Sequence, residues 1–201
     1  MSIEKFLKEN IQQQTLIPSL AHYLQLLQQW NSVHNLTAIT DPEQMVILHI
    51  LDSLAISPYL YGQRLLDVGT GAGLPGIPLA LKHPEKEFTL LDSNSKKTRF
   101  LTQVKHELQI KNINIIHSRV EDFHPDKNFD SILSRAFSSL EVMLQTTQHL
   151  LAAGGQFLAM KGIYPEEELK AIPETFKVTA VHTLTIQGLD AKRCLVCIER
   201  S

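Results

Sequence analysis

The chain has 201 residues, of which 43% are hydrophobic and 20% charged, with a formal net charge of −2 at pH 7. This length predicts one domain with a core of ordinary size and a small appendage. The near-neutral charge excludes a globally basic nucleic-acid coat, so an RNA substrate would have to be bound by one local face. No apolar run approaches the roughly 18 residues of a membrane span, and Met1–Gln14 is too polar for a signal peptide. We therefore expect a cytoplasmic protein.

Three amphipathic segments fill the first 60 residues. Apolar residues recur at helical spacing within Ile3–Gln13 and Leu16–Val33. A third helix is predicted from Asp41, with Pro42 at its first position and Gln44 in capping-box register. We expect residues 1–60 to form an N-terminal helical cap that packs on a second unit, residues 61–201.

Strand and helix patterns alternate in the second unit. Strands are predicted at Arg64–Val68, Phe88–Asp92, Ile113–His117, Phe129–Ser134 and Gln156–Met160. Helices are predicted at Gly76–Lys82, Ser95–Gln109, Ser139–Leu151 and Pro165–Ala171. Such alternation indicates an α/β fold, in which helices cover both faces of a parallel sheet.

The end of the chain has a different pattern. Lys177–Ile186 and Cys194–Arg200 are β-rich runs, and the loop between them is too short for a crossover helix, so they should pair antiparallel. Five parallel strands and an antiparallel C-terminal hairpin form the seven-stranded-type, Rossmann-like sheet of class I adenosylmethionine-dependent methyltransferases. Cys194 and Cys197 form a CxxC, but side chains three apart on a strand point to opposite faces. We expect two unpaired core thiols and no metal site.

A glycine-rich stretch after the first strand is the strongest chemical signal. Leu65–Ala80 reads LLDVGTGAGLPGIPLA, a strand that turns through glycines into a helix whose N-terminus can face a ligand. Its glycines are Gly69, Gly71, Gly73 and Gly76. The last three fit the dinucleotide pattern GxGxxG, and the first three, after Asp67, fit the GxGxG turn of adenosylmethionine-dependent methyltransferases. Asp92, at the end of the second strand, could accept both ribose hydroxyls of either ligand.

Seven segments, in order and over most of the chain, decide between these ligands by resemblance. They are NLTAI (Asn35–Ile39), HILDSL (His49–Leu54), DVGTGAGLPGIPLA (Asp67–Ala80), LLDS (Leu90–Ser93), SRVED (Ser118–Asp122), SRAFSSL (Ser134–Leu140) and MKG (Met160–Gly162). The chain thereby resembles the bacterial small-subunit ribosomal RNA methyltransferase G family, also called glucose-inhibited division protein B. Enzymes of that family transfer a methyl group from S-adenosyl-L-methionine to N7 of a guanine in 16S rRNA.

The resemblance implies a cofactor site on eight residues. They are Gly69, Gly71, Gly73, Leu74, Asp92, Val120, Glu121 and Arg135. The glycine loop and Leu74 would line the amino-acid end of adenosylmethionine, and Asp92 would hold its ribose. Val120 and Glu121 follow the third strand, where an apolar wall and a backbone N–H could hold the adenine.

Four basic residues lie next to predicted strand ends, on the same edge of the sheet as the cofactor. They are Arg119, Arg135, Lys161 and Arg193. They could neutralise rRNA phosphates and position the target base, with Arg119 and Arg193 nearest to it. Lys161 is the one side chain there that could serve as a base. The implied partner is 16S rRNA within the small ribosomal subunit, with neither a membrane nor DNA as a partner.

The chemistry of guanine N7 agrees with what the sequence lacks. Its in-plane lone pair is free at neutral pH, so methylation there needs orientation and electrostatics more than a general base. The chain has no asparagine-proline-proline-aromatic loop and no candidate cysteine nucleophile. Two other functions stay open from the residues alone: an NAD-dependent oxidoreductase using the same glycine loop, and a non-catalytic RNA-binding protein.

Overall fold

The computed structural model describes residues 2–135, 137 and 139–201, and these residues form a seven-stranded sheet. The strands are β1 (Arg64–Val68), β2 (Glu87–Asp92), β3 (Ile113–His117), β4 (Phe129–Ser134), β5 (Leu151–Lys161), β6 (Phe176–Thr183) and β7 (Cys194–Arg200). Their order across the sheet is β3-β2-β1-β4-β5-β7-β6. The first five strands pair in parallel, and β7 pairs antiparallel with both β5 and β6. The predicted α/β architecture, with its antiparallel C-terminal hairpin, is confirmed.

The α-helices lie before the sheet and between its strands. They are α1 (Ile3–Asn10), α2 (Ile17–His34), α3 (Pro42–Met45), α4 (Asp52–Leu54), α5 (Gly76–Lys82), α6 (Ser95–Glu107), α7 (Leu140–Thr147) and α8 (Glu166–Lys170). Short 3₁₀ turns occupy Gln14–Leu16, Ser57–Tyr59, Val120–Asp122 and Gln148–Leu150. Within the described residues, no helix combines the length and apolarity that crossing a membrane requires.

The third helical segment of the cap differs from a regular helix. It begins as predicted, because the Asp41 carboxylate accepts the backbone N–H of Gln44 at 2.9 Å. Between α3 and α4, however, Val46–Leu51 forms a π-helix. Such wide turns often lie at functional sites. This one carries His49 and ends at Leu51, directly before Asp52.

Two apolar layers cover the sheet. On one face, helices α1 and α2 of residues 1–60 share a buried cluster with α5, α6 and strand residues such as Leu65 and Phe88. On the other face, α7 packs on alternate strand residues such as Leu66 and Phe157. Cys197 belongs to the first cluster, and both cysteines are buried and free, as predicted. The division into a cap (1–60) and a methyltransferase unit (61–201) stays a prediction.

Several element bounds differ from those predicted, for local reasons. Helix α6 ends at Glu107 because Gln109 adopts a left-handed conformation (φ 51°) that no helix continues through. Strand β5 begins five residues early, at Leu151, which pairs with Phe129 before the register shifts. Neither change moves the carboxyl ends of the parallel strands, where the candidate site lies.

Candidate active site

Two buried carboxylates hold the glycine loop between β1 and α5. Asp67, at the end of β1, accepts the Thr70 hydroxyl at 2.6 Å and the Gly76 N–H at 2.8 Å on one oxygen. Asp92, at the end of β2, accepts the Gly71 N–H at 2.9 Å. The loop is therefore fixed by the ends of the two strands beside it.

The glycines of this loop fall into two groups. Gly69 and Gly71 have φ of 66° and 61°, and an added Cβ would meet nothing closer than the Gly69 carbonyl oxygen, 3.9 Å from Gly71. Gly73 (φ 94°) packs so closely on Ile77 and Leu101 that a Cβ would overlap their side chains. The first two glycines thus leave open space for a ligand, whereas Gly73 permits close packing of the loop on the helices.

Burial makes Asp67 an unusual carboxylate. The residue has no exposed surface, and this desolvation raises its pKa to about 6 against the stabilising bonds from Thr70 and Gly76. Its second oxygen, Oδ1, has no hydrogen-bond partner among the described residues. Keeping Asp67 ionised in this buried place therefore costs free energy of folding, while its hydrogen bonds to Thr70 and Gly76 shape the loop.

The cap also reaches the glycine loop. Tyr23 of α2, which is fully buried, donates its hydroxyl to the Ala72 carbonyl at 2.8 Å. Desolvation raises the pKa of this phenol far above its usual range, so it is a permanent donor. The N-terminal helices thus fix the loop as well as cover the sheet.

Three cavities follow one another along the carboxyl ends of the strands. A cleft of about 380 Å³ is lined by Gly69, Asp92, Lys97, Arg119, Val120, Glu121 and Phe137, among others. A small cavity of about 140 Å³ shares Gly69 and Lys97 with that cleft and is also lined by Gly71 and Leu74. The third, about 510 Å³, is the largest of these three and is called the largest cavity below. It shares Thr37, His49 and Arg135 with the small one. Arg135 therefore lies at the junction between the glycine loop and the largest cavity.

Most of the predicted cofactor residues meet in the first two cavities. Asp92 is buried, and its oxygens also accept the Asn94 N–H at 2.9 Å and approach the Lys97 ammonium at 3.4 Å. Val120 and Glu121 lie in a 3₁₀ turn after β3 and line the same cleft. Lys97 of α6 lines both cavities as well.

Three cations line the largest cavity, and each has an acidic partner. The Lys161 ammonium lies 2.7 Å from the Glu168 carboxylate. The Arg193 Nε donates to Asp52 Oδ1 at 3.2 Å, and Arg135 Nη1 lies 3.6 Å from Asp52 Oδ2. The acidic partners thus hold these three cationic side chains in place around the cavity.

His49 lines the largest and the small cavity while being only 4% exposed. Its Nε2 is 3.0 Å from the Thr37 hydroxyl, which itself accepts the Ile39 N–H. Burial, and then the Arg135 charge, lower the pKa of this imidazole to about 4. His49 is therefore neutral at physiological pH and adds no charge to the cavity.

Arg119 and Arg193, which we expected together beside the target base, line different cavities. Arg119 follows β3 at the first place in the sheet, whereas Arg193 precedes β7 at the sixth. Five strand spacings separate these places by about 24 Å. Arg119 instead lies with the predicted cofactor residues, and Arg135 and Lys161 are the neighbours of Arg193.

Solved structures that resemble this fold include methyltransferases. One is the glycopeptide N-methyltransferase MtfA, solved with adenosylmethionine. It has a TM-score of 0.65 at 11% identity, and the match covers 76% of this chain and 87% of the MtfA chain. A methyltransferase from Thiobacillus denitrificans, solved with S-adenosyl-L-homocysteine, has a TM-score of 0.58 at 12% identity, covering 88% and 98%. These likenesses show a class I methyltransferase fold.

Sequence relatives are far closer. A ribosomal RNA small subunit methyltransferase G from Pseudomonas aeruginosa is 54% identical over 183 residues, which are 90% of this chain and 86% of the relative. One from Vibrio vulnificus is 50% identical over 182 residues, again 90% and 86%. The model of the rRNA small subunit methyltransferase G family matches residues 16–196. The chain belongs to this family.

Membership of the methyltransferase G family excludes the oxidoreductase alternative that the glycine loop left open. The antiparallel strand β7 is also the arrangement expected of a methyltransferase sheet. Within the family's HILDSL segment, sequence reasoning assigned no role to His49 or Asp52. Their signal was present: a histidine and an acid interrupt an otherwise apolar helical run, MVILHILDSLAI. A buried charge at such a place requires a partner, but the sequence does not identify Arg135 and Arg193 as that partner.

Proposed function

We propose that this chain transfers a methyl group from S-adenosyl-L-methionine to N7 of a guanine in 16S rRNA. The observation that carries this proposal is the family match over residues 16–196. The row of cavities agrees with it, because the small cavity shares lining residues with the cleft beside Asp92 on one side and, through Arg135, with the larger, cation-lined cavity on the other.

The residues of the glycine loop fit adenosylmethionine. Gly69 and Gly71 leave the open space that the amino-acid end needs, and Leu74 lines the same small cavity. We assign the ribose to Asp92 and the adenine to Val120 and Glu121, because these line the adjoining cleft. The cofactor supplies a methyl group activated on a sulfonium. Gly73 would contribute through its backbone and its packing.

Methylation at N7 needs no proton transfer. The N7 lone pair forms the new N–C bond while the S–C bond breaks and its electron pair stays on sulfur. The positive charge moves from sulfur to the guanine ring. The task of the protein is therefore to align the base and to balance that charge, which are positioning and electrostatic functions. Lys161, paired with Glu168, serves here as a fixed cation and not as a base.

The cations divide between the base and the RNA backbone. We propose that Arg135, Lys161 and Arg193 surround the guanine and its phosphate in the largest cavity. Arg119 is exposed at the cofactor cleft and would contact a more distant phosphate. The substrate would be 16S rRNA within the small ribosomal subunit, methylated in the cytoplasm without a membrane or DNA partner.

The test is methyl transfer to small ribosomal subunits from a strain lacking this gene. Radiolabelled adenosylmethionine should label their 16S rRNA, and subunits from the parent strain, already methylated, should accept no label. Borohydride reduction and aniline then cleave the RNA at N7-methylguanine but not at guanine methylated on an exocyclic amine. Label without cleavage would reject N7, and no label on subunits or on free 16S rRNA would reject the activity.

A further inference from the structure

Asp52 is a buried carboxylate where the cap meets the largest cavity. It is 3% exposed and lies at the start of α4, directly after the π-helix. Its two oxygens face two guanidiniums, Arg193 at 3.2 Å and Arg135 at 3.6 Å. Asp52 and Arg193 are 141 residues apart in the chain. One side chain of the cap thereby fixes cations from the ends of two different strands.

We propose that Asp52 is a positioning residue for methyl transfer: it orients Arg193 and balances the charge of both arginines as the guanine becomes cationic. The inference rests on the proposed function. It assigns to the N-terminal cap a part in the chemistry beyond covering the sheet.

The charges of the largest cavity support this role. Its lining includes three cations, Arg135, Lys161 and Arg193, and Asp52 is the one acid among the described lining residues. Methylation at N7 brings a further positive charge onto the base in this space. Like charges that lie close together and are partly buried repel each other more than they would in bulk water. Without the Asp52 carboxylate, two unbalanced guanidiniums would oppose the reaction that they help to align.

The two arginines depend on Asp52 to different degrees. Arg135 has a second anchor, because its Nη1 donates to the Leu48 carbonyl at 3.1 Å. Among the described residues, the Arg193 guanidinium donates to Asp52 and otherwise only to the carbonyl of its own neighbour, Lys192, at 3.0 Å. Loss of the Asp52 charge should therefore displace Arg193 more than Arg135.

The experiment combines Asp52→Asn, which keeps the size but removes the charge, with Arg193→Ala. We expect Asp52→Asn to lower the single-turnover rate at saturating adenosylmethionine about 100-fold, the scale for misplacement of an aligned group. Calorimetric affinity for adenosylmethionine should change only a few-fold. In the Arg193→Ala background, the same change should cost only a few-fold in rate. Equal losses in both backgrounds, or an Asp52→Asn rate equal to the wild type, would overturn the inference.

A second readout uses the protein without cofactor or RNA. The Arg193 Nε–H, held by Asp52, should give a protected NMR cross-peak that is absent in Arg193→Lys and exchanges rapidly in Asp52→Asn. If Asp52→Asn does not fold, Asp52→Glu, which keeps but displaces the charge, should show the same loss of transfer. Asp41→Asn is the matched control: it removes the charge of an exposed cap residue that lines none of the three cavities, and it should leave transfer unchanged.

These readouts separate the two proposals. If the proposed function fails, the wild type labels no ribosomal RNA, yet the Arg193 cross-peak still reports whether Asp52 holds it. If only the inference fails, the wild type is active and the Asp52 variants either match it or lose rate independently of Arg193. An unprotected Arg193 Nε–H in the wild type would reject the positioning contact itself.

Discussion

Substituting Gly71 and Gly73 by alanine should separate cofactor binding from folding. Both glycines have positive φ, 61° and 94°, so a Cβ costs about 1–2 kcal/mol of backbone strain at either position. At Gly71 the methyl enters open space, and the strain should be nearly the whole effect on stability. At Gly73 it also overlaps Ile77 and Leu101, which adds about 1–3 kcal/mol. The total for Gly73→Ala is then about 2–5 kcal/mol.

The effect on the cofactor should run in the opposite order. The Gly71→Ala methyl occupies space in the small cavity, and one misplaced methyl group in a binding pocket costs about 1–3 kcal/mol of affinity. Gly71→Val should abolish binding. Gly73→Ala, once folded, should bind adenosylmethionine within a few-fold of the wild type, because its methyl points towards the helices. Urea unfolding and titration calorimetry measure the two quantities. A Gly71→Ala protein with normal affinity, or a Gly73→Ala protein as stable as Gly71→Ala, would refute this division of roles.

Three further predictions concern the groups that hold the loop. Tyr23→Phe removes the donor to Ala72 and should lower the free energy of unfolding by about 0.5–1.5 kcal/mol; an unchanged urea midpoint would contradict it. Asp92→Ala should weaken adenosylmethionine binding, measured by calorimetry, by about 1.5–3 kcal/mol, the range for hydrogen bonds to a charged acceptor. Normal affinity would show that Asp92 does not hold the ribose. Asp67 has a folded pKa of about 6, above its unfolded 3.8, so its stabilisation is complete below pH 3.8 and lost as pH rises through 6. Relative to Asp67→Asn, wild-type stability should thus fall by about 3 kcal/mol between pH 3.8 and 7; His49, whose lowered pKa acts in the opposite direction, titrates in both proteins and cancels. If the difference in free energy of unfolding between the two proteins does not change with pH, the pKa of Asp67 is not raised in the folded state.

The sheet could be predicted from the sequence because its signals are local. Each parallel strand is a short apolar run followed by glycine or polar residues, and each helix carries its own periodicity. The beginning of the third cap helix at Asp41 was equally clear from its capping residues. The π-helix at Val46–Leu51 was not, since an apolar helical run has the same pattern whether its turns are regular or wide.

The candidate site could be predicted only where one segment contains it. The glycine loop and Asp92 follow directly from strand ends, and the cavities bring them together. The Asp52 contacts with Arg135 and Arg193 join three distant segments, so no spacing in the sequence reveals them. Arg119 and Arg193 follow the same rule: both lie at the edge of the sheet where the parallel strands end, but they are not neighbours, because strand order decides the distance between them.

The antiparallel direction of β7 is what brings Arg193 to the site. In a parallel sheet, residues that follow a strand lie at the edge where ligands bind, and residues that precede it lie at the opposite edge. Arg193 precedes β7, but β7 runs against β5, and Cys194 at its start pairs with Lys161 at the end of β5. Its start therefore lies beside the ends of the parallel strands, next to Lys161 and within reach of Asp52. A parallel final strand of the same sequence would place this guanidinium at the far edge of the sheet. The C-terminal hairpin thus supplies a cation to the largest cavity as well as closing the fold.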